Sequence, residues 1–378
     1  MERKTNRDGR RACSIVFVQT MITNYRTQFF LRLVQELGEL GHKLLIPTGT
    51  TYFFPELKNG YAGIPFVKRV KNVMLLNDRL MFQLLPFRRV VGADLIFFEF
   101  NPRILSTWFI VFIRRLLGRR SVGWGHYYSR KGEGATQNLI RRLLFCLIEE
   151  FVTYSEREQK VISHRWPEKK VMVAHNSTNS RSEFAPASSI IDQQDIVYSG
   201  RLIPEKKVDL LLKSFAIACE TNAELGRLHI VGSGPEHHFL EGLAQKLGIT
   251  DRVVFHGSVF EMDVLRNLYA SCFCSVSPGY VGLMVFQSHA HGRPIIVSPG
   301  EPNAPEFHMC EEGANSVFFK SDSSVSLATA IIDVFDNRMQ WDLVSRDIQT
   351  VCLDKYSIEA MVSPFVALAV GSKEEVDL

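Results

Sequence analysis

No apolar run among the 378 residues is long enough to cross a bilayer, so no membrane-spanning helix is expected. The N-terminus, MERKTNRDGRRACSIVFVQT, begins basic, but its apolar run is too short for a signal-peptide core and reads as a first strand. The seven cysteines, at 13, 146, 219, 272, 274, 310 and 352, are odd in number, and no spacing among them suits zinc. The one close pair, Cys272-Phe273-Cys274, sits in a strand-like apolar run and reads as two core thiols. This usage fits a reducing, cytoplasmic setting. The glycine-rich dinucleotide fingerprint is missing from the loop at 19–26. Gly232-Ser233-Gly234-Pro235 carries only part of it, with a proline out of place. A nicotinamide dehydrogenase is therefore disfavoured. The aromatic platforms that single-stranded nucleic acid would need are not identifiable, so no nucleic-acid partner is expected.

What is present describes a two-domain globular protein. Apolar residues make up 46% and charged residues 22%, and the length exceeds one ordinary core. The net charge of +4 hides an asymmetry: residues 1–188 hold 30 Lys and Arg against 15 Asp and Glu, and residues 189–378 hold 14 against 25. A basic first half suits anionic lipid or another polyanion.

Strand-like runs alternate with helical patterns throughout, as in α/β proteins with parallel sheets. In the first half the expected strands are Ser14–Val18, 43–47, 94–98, 121–124, 151–154 and Lys170–Val173. Residues 26–42 read as a helix, and so do residues 78–91. Ser155 reads as a helix cap. The segment ILSTWFIVFIRRLLGRR, 104–120, admits two readings. One is a core helix with a charged end. The other is an interfacial helix laying Arg114, Arg115, Arg119 and Arg120 on anionic headgroups. Residues 177–194 are polar and aperiodic and read as an interdomain linker. In the second half, strands are expected at 196–198, Leu228–Val231, 253–255, 272–276 and 294–297. Helical segments follow from 326 to 336 and again at SIEAMVSPFVALAV.

The chemistry concentrates in DIVYSGRLIPEKK, residues 195–207. A buried strand breaks at Ser199-Gly200, presents Arg201, Lys206 and Lys207, and runs into a helix. Strand, turn and helix deliver a ligand to the carboxyl edge of a sheet, and Arg and Lys there suit a diphosphate. A second clamp is expected where Gly282-Leu283 opens a helix, whose unpaired N–H groups attract phosphate. His126, just past a strand end in Gly125-His126-Tyr127-Tyr128, reads either as a catalytic or substrate-holding imidazole or as a structural one.

Taken as a set, SGRLIPEKKVDLLLKSF, HIVGSGPE, VVFHGSV and SPGYVGLMVFQSHAHGRPIIVS resemble glycosyltransferase family 4, the group 1 transferases of GT-B fold. The resemblance covers roughly residues 195–310. It implies an α/β GT-B architecture with two Rossmann-like domains facing a cleft and a C-terminal helix returning to the first domain. The implied division is a basic acceptor-side domain over 1–180, a linker over 181–194, a nucleotide-sugar-binding domain over 195–350 and a helical segment over 351–378. It further implies transfer with retention and no obligatory metal or other cofactor. The absence of any Asp-x-Asp agrees, since that is the metal-diphosphate motif of the other large transferase fold.

On this resemblance Arg201 and Lys206 neutralise the donor diphosphate with help from Gly282 and Leu283. Gly257 and Val259 line the base pocket, and His126 sits near the transferred sugar. Gly200, Tyr280 and Gln287 complete the donor-binding set. Two family glutamates are replaced by Gly279 and Gln287, and the family's glycine pair in the first loop is replaced by residues 21–26. Pro305-Glu306 resembles a family Pro-Glu pair, and a helix-start acid explains it equally well. The implied function is transfer of a sugar from a nucleoside diphosphate to a glycan or lipid-linked acceptor, in the cytoplasm or on the inner face of the membrane. The alternatives are a catalytically degenerate GT-B scaffold or regulator, prompted by Gly279, and a GT-B enzyme other than a transferase.

Overall fold

The computed structural model describes residues 12–51, 53, 60–129, 136–259, 261–303 and 305–371. It divides into two compact units: residues through Asn179 with those from Tyr356 onward, and Ser180–Lys355. The first unit runs β1 (Ser14–Val18), α1 (Thr27–Glu39), β2 (Lys43–Thr48), β3 (Val67–Arg69), β4 (Asn72–Leu75), β5 (Leu80–Gln83), α2 (Phe87–Gly92), β6 (Leu95–Glu99), α3 (Leu105–Leu116), β7 (Arg120–Trp124), α4 (Gln137–Cys146), β8 (Glu150–Thr153), α5 (Glu156–Arg165) and β9 (Lys170–Val173). The second runs β10 (Asp195–Ser199), α6 (Val208–Thr221), β11 (Leu228–Val231), α7 (His237–Lys246), β12 (Val253–Gly257), α8 (Met262–Ala270), β13 (Cys272–Ser277), α9 (Met284–Ala290), β14 (Ile295–Val297), β15 (Ser316–Phe318), α10 (Ser324–Asp336) and most of α11 (Arg338–Tyr356). The last helix, α12 (Ile358–Val370), belongs to the first unit.

Each unit is built on one parallel sheet, in the orders β3-β2-β1-β6-β7-β8-β9 and β12-β11-β10-β13-β14-β15. Strands covered on both faces must be apolar throughout, which accounts for SIVFV in β1. Its Ile15 and Phe17 enter the core layer shared with α1 and α12, and Val16 and Val18 enter the opposite layer with α3, α4 and α5. In the first layer Phe365 of α12 closes a ring cluster, with centroids 5.5 Å from Phe17, 5.2 Å from Phe29, 5.3 Å from Phe97 and 5.1 Å from Trp124. Cys272 and Cys274 are buried in β13, as core thiols should be. Ser155 caps α5 by accepting from Glu158 N–H.

Three readings change. Residues 78–91 are not one helix. Leu76, Asn77 and Asp78 hold φ of 52°, 52° and 62°, a left-handed run that no right-handed helix accommodates. β5 then pairs antiparallel with β4, alternating buried Met81 and Gln83 with exposed Phe82 and Leu84. Only α2 is helical, entered at Pro86. Of the arginines closing α3, Arg114 does not lie on a surface, whereas Arg115 and Arg119 are exposed. Arg114 is fully buried and donates to the carbonyls of Val90, Val91 and Ala93, each at 2.9 Å. Burial pushes its pKa down to about 10. Arg119 donates to Gly92 O at 2.6 Å, and Arg120 pairs with Glu150 at 2.7 Å. Finally, α11 escapes notice in the sequence because polar Ser345 and Gln349 share its buried face. They are satisfied by Gly292 O at 2.7 Å and by Ala185 O and Ala290 O at 2.8 and 2.7 Å.

Residues 181–194, read from the sequence as a linker, bury Phe184 and Ile190 and bond to α11 through Ala187 N–H to Gln349 and Ile190 N–H to Asp342, both at 2.8 Å. Among the described residues no helix is long and apolar enough to cross a membrane.

Candidate functional site

In open parallel sheets a ligand sits outside the carboxyl ends of the strands, where the strand order reverses. That point lies between β10 and β13 in the second unit and between β1 and β6 in the first.

In the second unit β10 ends at Ser199. Gly200 N–H donates to Val231 O at 2.9 Å and Leu202 N–H to Ser233 O at 3.0 Å, so the next turn lies directly on this one. A Cβ on Gly232 would stand 1.8 Å from Gly200 O, and one on Gly234 2.1 Å from Leu202 O. The Gly-x-Gly here therefore serves backbone packing. Leu202 is buried and Arg201 is exposed. Residues Pro204–Lys206 make one 3-10 turn, and Lys207 takes a left-handed conformation before α6.

Lys206 Nζ donates to Tyr280 O at 2.7 Å and lies 5.0 Å from the centre of the Tyr280 ring. Tyr280 N–H in turn donates to Glu205 O at 2.8 Å. Burial lowers the pKa of Lys206, Arg201 adds to that shift, and Glu306 opposes it. Lys207 turns elsewhere, to Glu301 at 2.8 Å and Asp322 at 2.7 Å. Of the three cations, Lys207 is therefore committed to carboxylates.

Gly279 packs against the same turn, and a Cβ on Gly282 would lie 3.5 Å from Lys206 Nζ. Leu283, largely exposed, precedes α9 with no side chain capping the helix. Asn303, which the sequence did not single out, fixes this loop by accepting from Val281 N–H at 3.0 Å. Thus Lys206, Gly279, Tyr280 and Gly282 meet at one turn, which Gly200 and Arg201 precede in the chain and Leu283 adjoins. Gly257 and Val259 lie at the end of β12, tied in through Gly232 N–H to Gly257 O at 2.7 Å. Gln287 sits within α9, its carbonyl 2.7 Å from His291 Nδ1.

At the corresponding edge of the first unit, His126 is half-exposed, with Nδ1 3.5 Å from Glu158 and its ring 4.8 Å from Tyr154. Burial acts to raise the Glu158 pKa, but hydrogen bonds from His126 and Thr153 bring it below the ordinary value. Tyr154 accepts from Arg26 Nη2 at 3.1 Å. The Arg26 guanidinium lies 4.4 Å from the Trp124 ring centre, and Thr20 donates to Glu99 across the strand-order reversal. Arg26, Trp124, Tyr154, Glu158 and Glu99 were not singled out in the sequence. Three of them end or directly follow a strand, and that position is the signal that finds them. Among the described residues no three His, Cys, Asp or Glu side chains gather as a metal site would require.

The family described as glycosyl transferases group 1 matches residues 193–337. HepE of Anabaena, solved with UDP, superposes with a TM-score of 0.62 at 14% identity, covering 94% of this chain and 99% of that one. Residues 193–337 thus match the group 1 glycosyltransferases, and the fold is that of the GT-B proteins. Sequence relatives include an uncharacterized glycosyltransferase of Methanocaldococcus jannaschii, 29% identical over 39% of the chain and 41% of the relative. The matched region thus spans about two-fifths of that protein's length. LpsD of Rhizobium meliloti, a lipopolysaccharide core biosynthesis glycosyltransferase, is 24% identical over 90% of the chain and 93% of its own length.

Proposed function

We propose that the protein is a retaining, metal-independent glycosyltransferase. It moves a hexose-type sugar from a nucleoside diphosphate to a glycan or lipid-linked acceptor in polysaccharide or glycoconjugate biosynthesis. The observation that carries this reading is the pairing of Arg201 and Lys206 beside Gly282 and Leu283, where the strand order of the second sheet reverses. Lys206 spends one N–H on Tyr280 O and keeps two for phosphate oxygens. Two cations held there stabilise the negative charge that develops on a departing diphosphate, the kind of electrostatic contribution that often dominates catalysis. HepE, solved with UDP and with UDP-glucose, supports a nucleotide-sugar donor.

In the same reading Gly257 and Val259 line the base pocket, Gly200, Gly279, Tyr280 and Gln287 contact the donor, and His126, oriented by Glu158, holds the transferred sugar. Peripheral contact with an anionic membrane at its inner face is part of the proposal, supported by the basic charge of residues 1–188.

The test is thermal stabilisation by UDP, GDP, CDP and ADP. A diphosphate at 100 times its Kd is expected to add about 2.7 kcal/mol, and Arg201→Ala or Lys206→Ala is expected to abolish the shift. No shift with any of the four would sink the reading. One observation favours a catalytically silent GT-B scaffold instead: Gly279 offers no carboxylate to the donor sugar. Transfer or donor hydrolysis that disappears in Arg201→Ala would exclude that alternative.

A further inference from the structure

We propose that Arg26, Trp124 and Tyr154 form an oxyanion subsite, so that the acceptor carries a phosphate or carboxylate group; calling the ligand an acceptor rests on the transferase reading above. Arg26 ends the loop after β1, where the first sheet reverses its strand order. Its guanidinium is stacked 4.4 Å from Trp124 and 5.4 Å from both Tyr25 and Tyr154, and Nη2 donates to Tyr154 OH at 3.1 Å. Nη1 is buried and has no hydrogen-bond partner, and among the described residues Arg26 makes no ion pair. Trp124, only 3% exposed, also leaves Nε1 buried without a partner.

A buried donor left without an acceptor costs about 1–3 kcal/mol, and native structures seldom leave one without a reason. Two such donors meet in one aromatic stack, and one of them belongs to a permanent cation. A phosphate or carboxylate answers both needs, because guanidinium pairs with either through parallel N–H bonds. Burial raises the Tyr154 pKa, so the phenol stays protonated. It accepts from Arg26 and keeps its own O–H to donate. Tyr154 also meets the His126 ring at 4.8 Å, which places the subsite next to the imidazole proposed to hold the sugar. A neutral sugar acceptor gives no use for the unpaired guanidinium.

The experiment uses the full chain carrying Arg201→Ala and Lys206→Ala, which removes the proposed diphosphate site. Glucose 1-phosphate, glucuronate and glucose are added separately and the melting temperature is followed. One anionic sugar is expected to stabilise the protein, and which one does so distinguishes a phosphate-bearing acceptor from a uronate. Glucose is expected to have no effect. Adding Arg26→Gln is expected to abolish the shift. Arg26→Lys, which keeps charge but not the planar fork, is expected to weaken apparent affinity about tenfold and is read in its place if the Gln variant does not fold. Stabilisation by glucose equal to that by the anions, no response to either anion, or an undiminished response in the Arg26 variants would overturn the proposal. The UDP shift of the unsubstituted chain is read separately, so failure here and failure of the donor site are told apart.

Discussion

Residue 279 is glycine because the turn before α6 occupies the space a side chain would need. A Cβ there would come 2.4 Å from Glu205 O and 2.8 Å from the Lys206 carbonyl carbon. Restoring the family carboxylate with Gly279→Glu must therefore push the Pro204–Lys206 turn away and carry Lys206 with it. The expected outcome is a loss of about 1–3 kcal/mol in stability, as overpacking typically brings, together with weaker UDP binding. Urea unfolding and a UDP titration check both, and a stable variant with tighter donor binding would contradict the packing argument. Arg114 teaches a related lesson. In a count of charges it is one more cation for a membrane, yet it is spent inside the fold on three backbone carbonyls.

At the scale of an element, α9 and its C-terminal residue hold two buried imidazoles. His289 and His291 both have their pKa pushed down to about 4, first by burial. Their hydrogen bonds to Asn315 O and Gln287 O oppose the shift, and Arg293 and Arg266 deepen it at His291. The folded values lie below the unfolded value near 6.5, so the unfolded chain takes up protons first as pH falls. Stability is complete above about pH 6.5 and is lost progressively towards pH 4, on the order of 3 kcal/mol for each histidine. Denaturant unfolding at intervals between pH 7 and 4.5 is expected to show this fall, and His291→Gln to make it shallower. Asp195 and Glu158, held below their ordinary values, act only at lower pH, so a flat profile above pH 4.5 would contradict the assignment.

At the scale of the molecule, positive charge is concentrated in residues 1–188, and the lipid contact proposed there cannot use Arg114, which is internally engaged. The surface proposed for it is the apolar face of α3: Phe109, Phe112 and Leu116 are 55%, 52% and 71% exposed, with Leu139, Ile140 and Leu143 exposed on α4, which covers the same face of the sheet. Co-sedimentation with phosphatidylglycerol vesicles at low salt is expected. It should fall several-fold in Phe109→Ser/Phe112→Ser and weaken as salt screens the basic charge. Equal binding to phosphatidylcholine vesicles, or no change in the double variant, would remove the membrane from the proposal.

Much of the architecture is written locally. Runs such as SIVFV, DLIFF and CFCSVS, each followed by a turn and a helical pattern, announce buried parallel strands because only a sheet covered on both faces wants every residue apolar. Arg201, Lys206 and Gly282 were legible for the same reason: a strand end, a turn and a helix start are consecutive in the chain. What the sequence hid depends on partners distant along it. Arg26, Trp124 and Tyr154 are separated by up to 128 positions and meet only when β1, β7 and β8 share an edge. Lys207 and Lys206 are adjacent and chemically alike, but the left-handed backbone at 207 sends one to Glu301 and Asp322 and leaves the other at the edge. Apolar pattern and turn chemistry thus determined the strands β10 to β14 and the cations that follow β10. Only the tertiary structure decided which cations remain available to a ligand, because availability depends on the neighbours a fold brings together.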